Sequence, residues 1–412
     1  MPETQTPYHH GSHQDLLAPP DDQAFAGPGI DAIVVPTARR PAYLAEASVL
    51  AQALGCALVT LHSGKWTTAS MLAQRMPPEI DLIAIDVKEP GRLRLPAWET
   101  SALLAGTVFA RRTDLSAKRN LGLVLSHMLG WERLLFLDDD ITGLNPRDVR
   151  RASGLLGPYN AVGLRIGGFP DNSVVCHAYR QAGGPQQSFV GGGALVVEVK
   201  ATNSYNSFFP DIYNEDWFFL LDGDKSLLPT TTTGRVIQHP YDPFRIERAR
   251  AEEFGDVLAE GVYWLLDQGR PIQDADKAHW TEFLEQRRLF INDVLAMVAK
   301  DSLPEAEKAR RAEALKASLG RLALITPALC EDYLTAWTRD RQAWRRHLEQ
   351  LPIDLKRAQA LRELNRPGSA PVPARESLTW SLESLAGHGY LDLRELQRLR
   401  SSGCENRWPA RL

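Results

Sequence analysis

Leu134–Thr142 reads LLFLDDDIT: an apolar run passes straight into the consecutive carboxylates Asp138, Asp139 and Asp140. A short apolar run of this kind is a buried strand. In an α/β sheet, ligands gather beyond the carboxyl ends of the strands. Acids crowded at one strand end repel each other unless positive charge meets them. A divalent cation supplies that charge, and Mg²⁺ is commonly held by one or two carboxylates together with substrate phosphates. The plainer reading is that one acid caps the next helix while the others are solvated. The strand context favours the metal.

Upstream of this stretch the chain alternates strand and helix. Ala32–Val35 is an apolar run ending at Pro36-Thr37, and Pro41–Leu54 has apolar residues at helical spacing and closes at Gly55. Cys56–Leu61 and Leu82–Val87 are further strands, with a helix over Thr68–Arg75 between them. Asp114–Trp131 carries one apolar helical face and stops at Gly130. This order predicts βαβ units and a mostly parallel sheet flanked by helices. Downstream, Ala161–Ile166, Phe189–Val199 and Val236–His239 are β-like.

From about Arg245 to Leu364 charged residues alternate with Leu and Ala at helical periods, which predicts a largely helical C-terminal region. The predicted division is a disordered N-terminal arm (1–29), a catalytic domain (30–244), the helical region (245–364), a linker (365–376) and a short helical tail (377–412). The arm is polar and rich in Pro, Asp and Gly. Its His9, His10 and His13 are more often incidental than ligands in such a tail.

The 412 residues include 47 Lys+Arg and 51 Asp+Glu, a net charge of -4, with 44% hydrophobic and 24% charged residues. This is ordinary for a soluble globular protein and gives no general pull toward nucleic acid. The cysteines at 56, 176, 330 and 404 show no metal-finger spacing and fit a reducing compartment. No uncharged apolar stretch approaches the ~18 residues that span a bilayer. The N-terminus lacks the basic and apolar segments of a signal peptide. A cytoplasmic protein is expected.

Two enzyme classes place acids at such a strand end. One is a phosphatase of the haloacid-dehalogenase type, with Asp-x-Asp-x-Thr. Asp138-x-Asp140-x-Thr142 matches it literally, although that motif usually follows the first strand of its fold. The other is a nucleotide-sugar glycosyltransferase with Asp-x-Asp. Residues 30–240, about half the chain, resemble a GT-A glycosyltransferase domain of the broad family-2 kind. The resemblance rests on IVVPT at 33–37 with Arg39-Arg40-Pro41, KRNLG at 118–122, FVGGGA at 189–194, NEDW at 214–217 and QHP at 238–240. One departure stands out: His62-Ser63-Gly64 replaces the usual acidic pair after the second strand.

The resemblance implies an α/β fold of the GT-A type, a mostly parallel sheet flanked by helices, with a nucleotide-diphosphate-sugar donor and a divalent cation, Mn²⁺ or Mg²⁺. Asp138 and Asp140 would hold the cation, with His239 completing its coordination. Pro36, Thr37, Arg39, Ser63, Asp86 and Asp139 would lie against the nucleotide, with Lys118 and Arg119 adding positive charge at the pyrophosphate. Those two basic residues read equally as a solvated helix face. If transfer inverts the anomeric configuration, Asp216 is the candidate base and Glu215 the next; if it retains it, Asp216 would orient the substrate instead. A cap of the following helix is the plainer reading of both. Gly191, Gly192 and Gly193 with Trp217 would face the acceptor. A scaffold of this fold without catalysis is the third reading. The C-terminal helices are candidates for covering the acceptor site or for pairing two copies of the chain.

Overall fold

The computed structural model describes residues 11–23, 27–87, 93–169, 173–199, 207–222 and 226–364. The expected linker and tail, and His9 and His10, lie outside the described residues. The strands are β1 (Ala32–Thr37), β2 (Ala57–His62), β3 (Leu82–Asp86), β4 (Arg133–Leu137), β5 (Ile141–Thr142), β6 (Ala161–Gly167), β7 (Ala194–Glu198) and β8 (Thr230–Gln238). The helices are α1 (Ala45–Leu54), α2 (Ala69–Ala73), α3 (Glu99–Leu104), α4 (Leu115–Leu129), α5 (Pro146–Leu155), α6 (Val174–Gln181), α7 (Glu215–Phe219), α8 (Ile246–Asp267), α9 (Lys277–Lys300), α10 (Glu305–Leu322), α11 (Pro327–Glu349) and α12 (Arg357–Leu364).

One sheet runs in the order β3-β2-β1-β4-β7-β6-β8-β5. The pairs β3/β2, β2/β1, β1/β4 and β6/β8 are parallel, while β4/β7, β7/β6 and β8/β5 are antiparallel. The sheet is therefore mixed, which corrects the expectation of a mostly parallel one. The parallel half is the expected part: β1, β2 and β4 are buried along almost their whole length, as strands covered on both faces must be. The correction comes from β7, which enters between β4 and β6 with reversed direction.

Local signals set the helix ends. Gly55 and Gly130, both at φ 68°, close α1 and α4 in the left-handed conformation that only glycine adopts without strain. Thr68, Ser173, Asp276 and Thr326 cap α2, α6, α9 and α11 by accepting backbone N–H bonds. The start of α3 is capped from a distance. Asp340 of α11 accepts from the Glu99 and Thr100 backbone N–H groups and from the Thr100 hydroxyl, at 2.6, 2.9 and 2.6 Å.

The core lies on both sheet faces. One face packs β1, α1, α2 and α5. The other joins β2, β4 and α4 to α8, α9, α10 and α11 in one continuous cluster, so the C-terminal helices bury their apolar residues on the sheet itself. Gly255 of α8 sits where a Cβ would collide with the Tyr213 carbonyl, and α8 thereby lies flush against the segment leading into α7. No described helix is long and apolar enough to cross a membrane.

The N-terminal arm is not disordered over its described part. Residues 11–16 form a 3-10 helix, and the chain then runs beside β8, with Ala18 and Asp21 donating to the Thr230 and Thr232 carbonyls at 3.0 and 3.2 Å. Composition suggested otherwise because the segment has few apolar residues. Its anchors are backbone bonds and polar side chains, among them the buried His13, Gln14 and Asp22.

Candidate active site

The carboxyl end of β4 turns at once. Ile141 N–H donates to the Asp138 carbonyl at 3.2 Å, closing a turn over the three aspartates. Their carboxylates consequently meet different partners. Asp138 accepts from Arg119 at 2.8 Å. Asp139 accepts from the Thr37 hydroxyl at 2.6 Å and lies 3.4 Å from Arg39. Asp140 accepts from Arg39 at 3.1 Å. Burial first, and the neighbouring aspartates second, raise the Asp139 carboxyl above its ordinary value, against the pull of Thr37 and Arg39.

Arg119 joins this cluster to the second acidic motif. Its guanidinium is 3% exposed and bridges Asp138 at 2.8 Å to Glu215 at 2.7 Å. Glu215 also has Arg111 at 3.5 Å. Asp216, beside it, is only partly buried and accepts from the Gly192 N–H at 2.6 Å and from the Trp217 N–H at 3.0 Å. Burial, then the adjacent Glu215, push the Asp216 carboxyl up to about 6, while Arg119 and the two N–H groups hold it down. The preceding Asn214 is in the left-handed region at φ 61° and donates to Asp256 of α8 at 3.2 Å. Asn214 is the N-cap position of α7, so neither Glu215 nor Asp216 caps that helix.

The glycines close the junction. Gly193 accepts at its carbonyl from the Asp138 N–H at 2.9 Å, and Gly191 lies 3.4 Å (as a Cβ) from the Asp216 carboxylate. Asp138, Arg119, Glu215, Asp216 and Gly191–Gly193 thus form one contiguous group.

Other nominated residues have different surroundings. Lys118 is buried, donating to the Thr37 carbonyl at 2.9 Å and to Ser63 Oγ at 2.6 Å, with Asp114 at 3.0 Å. Burial lowers its ammonium pKa against the pull of Asp114. It locks the ends of β1 and β2 together and presents no solvated face. Pro36 is an interior residue of β1, opposite Leu61. Asp86 accepts from the Ala69 N–H at 2.7 Å, at the start of α2. His62, in place of the expected acid, is buried between Thr60 and Thr67 at 2.8 Å each; burial, then Lys118, push its pKa down to about 3, so it is neutral. Trp217 packs edge-on to Phe189 at 5.1 Å and against Tyr263 at 4.7 Å.

The expected set of Asp138, Asp140 and His239 is not gathered as a ligand trio: among the described residues, no group of three His, Cys, Asp or Glu is placed to hold a metal ion. The turn sends Asp138 and Asp140 to different arginines. His239 touches the site through its backbone, its N–H donating to the Asp140 carbonyl at 2.9 Å, and the residue is exposed. The donor chemistry still suits a hard cation that takes two carboxylates and draws its remaining oxygens from a substrate. Asp140 is paired in this structure with Arg39, whose side chain is 42% exposed.

The sequence reading missed Arg111, Tyr263 and Asp256 around the acidic pair. They come from α8 and from a loop, and no local motif marks them. No protein-family model matches the chain, and no curated protein matches it. A mannosyltransferase from Pyrobaculum calidifontis, PcManGT, solved in complex with GDP-Man and Mn²⁺, resembles the chain at 15% identity and a TM-score of 0.39, over 80% of this chain and 89% of that one. That likeness is too distant to carry an argument about this chain.

Proposed function

We propose that this protein is a glycosyltransferase that moves a sugar from a nucleotide-diphosphate donor to an acceptor hydroxyl, with a divalent cation at Asp138 and Asp140. The observation that carries the reading is the Arg119 bridge, which brings the acids after β4 and the acids of α7 to one place although Arg119 and Glu215 are 96 residues apart. A strand-end acid cluster beside a second carboxylate of raised pKa is what sugar transfer requires. A bound cation supplies charge for the leaving diphosphate.

The protein's own groups do the rest. Asp216 accepts the proton of the acceptor hydroxyl as that oxygen attacks the anomeric carbon and the bond to the diphosphate breaks. A carboxyl poised at about 6 is ionised at neutral pH yet basic enough for the task. Glu215, paired with Arg119 and Arg111, is the less suited of the two to that role and anchors its arginines. Arg39, among the described residues the partly exposed cation on Asp139 and Asp140, would turn to the donor phosphates. The phosphohydrolase alternative expects its Asp-x-Asp after the first strand of its fold, whereas Asp138 follows β4.

The test is calorimetric titration of UDP, GDP, dTDP, CDP and ADP, with and without Mn²⁺, on the wild type and on Asp140→Ala. Metal-dependent binding of a nucleotide by the wild type, lost in the variant, is the expected result. Binding of none of them overturns the reading.

A further inference from the structure

The 3-10 helix at Gly11–Leu16 lays His13 into the protein interior. The imidazole is 1% exposed, with Nε2 3.0 Å from Glu260 and Nδ1 bonded to Asp267, both on α8. It stands edge-on to the Trp217 ring, 5.5 Å between centroids, and 5.4 Å from Tyr263. Trp217 is thus enclosed by His13, Phe189 and Tyr263, and the Tyr263 hydroxyl donates to its carbonyl at 3.0 Å. Next in the chain, Gln14 donates through Nε2 to the Ser188 carbonyl at 2.6 Å. Beyond it the segment is fastened along β8, whose Thr231 and Thr233 hydroxyls donate to the Pro19 and Asp21 carbonyls at 2.9 and 2.7 Å.

These contacts converge on Asp216. One of its carboxylate oxygens is held by the Trp217 N–H, and the His13 ring packs on that tryptophan. The other is held by the Gly192 N–H, four residues after the Ser188 carbonyl that Gln14 grips. The carboxylate therefore takes its position from two backbone groups, and each belongs to a stretch that the N-terminal segment touches.

We propose that residues 11–22 are a strap that positions the base, with His13 setting Asp216 through Trp217 and Gln14 setting it through the stretch Ser188–Gly192. His13 and Gln14 are positioning residues, remote from the reacting atoms. The proposal rests on the reading of Asp216 as the base. It assigns to the N-terminal segment a part in the reaction beyond covering an edge of β8.

The strap is tested with His13→Gln and Gln14→Ala in the full chain, beside Asp216→Asn. The Gln14 variant removes one side-chain bond and keeps the fold available if His13→Gln does not fold. Hydrogen exchange is followed in peptides covering 186–193 and 213–221. Nucleoside diphosphate release is followed from a panel of UDP- and GDP-sugars, with water as acceptor, across pH. Faster exchange in both peptides, by tenfold or more, is expected, with unchanged exchange in α1 and α2. The wild-type nucleotide affinity should be kept within about twofold. The acid limb of the rate should move from its wild-type position, since Glu215, Arg119 and the two N–H groups that set Asp216 would no longer face it in the same way. Exchange and acid limb unchanged in both variants overturn the strap, whatever the activity of Asp216→Asn. Uniformly faster exchange with an unmoved acid limb also overturns it, as a contribution to stability alone. If Asp216→Asn leaves release unchanged, the base assignment fails, and local exchange in the two peptides still decides whether the strap holds them.

Discussion

Gly192 lies directly over Arg119: a Cβ at position 192 would stand 2.5 Å from the guanidinium Nη1 and 2.7 Å from Cζ. The guanidinium cannot yield cheaply, because both of its terminal nitrogens are engaged with buried or partly buried carboxylates. Gly192→Ala is expected to cost about 1–3 kcal/mol, the usual penalty of overpacking a tight site. It should also lower the transfer rate by displacing the N–H that holds Asp216. Urea denaturation and rate measurement on the same preparation check both.

Arg119→Met removes the bridge itself. It leaves Glu215 buried without its closest cation and Asp138 without its partner. Breaking a buried pair by deleting one member costs about 3–5 kcal/mol. A loss below about 1 kcal/mol by chemical denaturation would show that the bridge does not hold the two motifs together.

The Asp216 carboxyl, up at about 6, must be ionised to act as a base. The rate is expected to climb as pH rises through about 6 and to level off above it. Asp216→Asn should reduce it by about 10²–10⁴-fold while nucleotide affinity stays. On stability the sign is reversed. The fold favours the neutral acid, so this contribution is complete below the ordinary Asp value of 3.8 and is lost as pH rises through about 6. A rate profile flat between pH 5 and 8 would count against the assignment.

Burial works to lower the His13 pKa, but the hydrogen bonds it donates to Asp267 and Glu260, with their negative charge, outweigh it and raise it to about 9 from 6.5. A raised histidine gives stability that is complete below 6.5 and is lost as pH rises through about 9. The amount is on the order of 3 kcal/mol, at 1.36 kcal/mol per unit. Denaturation midpoints measured from pH 6 to 10 should fall in the wild type. The decline should be flatter in His13→Gln, whose midpoint is already lower at pH 6.

Asp340→Ala removes the tertiary cap of α3 and leaves the Glu99 and Thr100 N–H groups without it. A loss of about 0.5–2 kcal/mol is expected, as for other caps. Hydrogen exchange at residues 99–104 should rise before exchange in the central strands does.

The strand-helix succession through β4, apart from the six-residue α3, was legible because its elements announce themselves locally. β1, β2 and β4 are mostly apolar runs, α4 is a periodic face, and glycines close α1 and α4. The acids after β4 and the pair at Glu215-Asp216 were legible for the same reason: polar residues at an element boundary stand out. The antiparallel entry of β7 was not legible, since a five-residue apolar strand carries no mark of its direction. Of the two readings of Lys118, the solvated helix face fails, because charged residues on a helix are normally solvated whereas α4 is buried on nearly every side.

The longer elements, their order and the chemical type of the residues at their ends are therefore written locally, because hydrophobic periodicity, capping and glycine conformation act within a few residues, while the short α3, β5 and α6 and the more polar α5 carry too weak a pattern to be read. Which of those residues meet was decided only by the tertiary structure. Arg119 reaches Glu215 across 96 residues, and His13 reaches Glu260 across 247. At such separations no local pattern encodes the partner; a buried charge finds its counter-charge because leaving it unpaired in the core costs several kcal/mol.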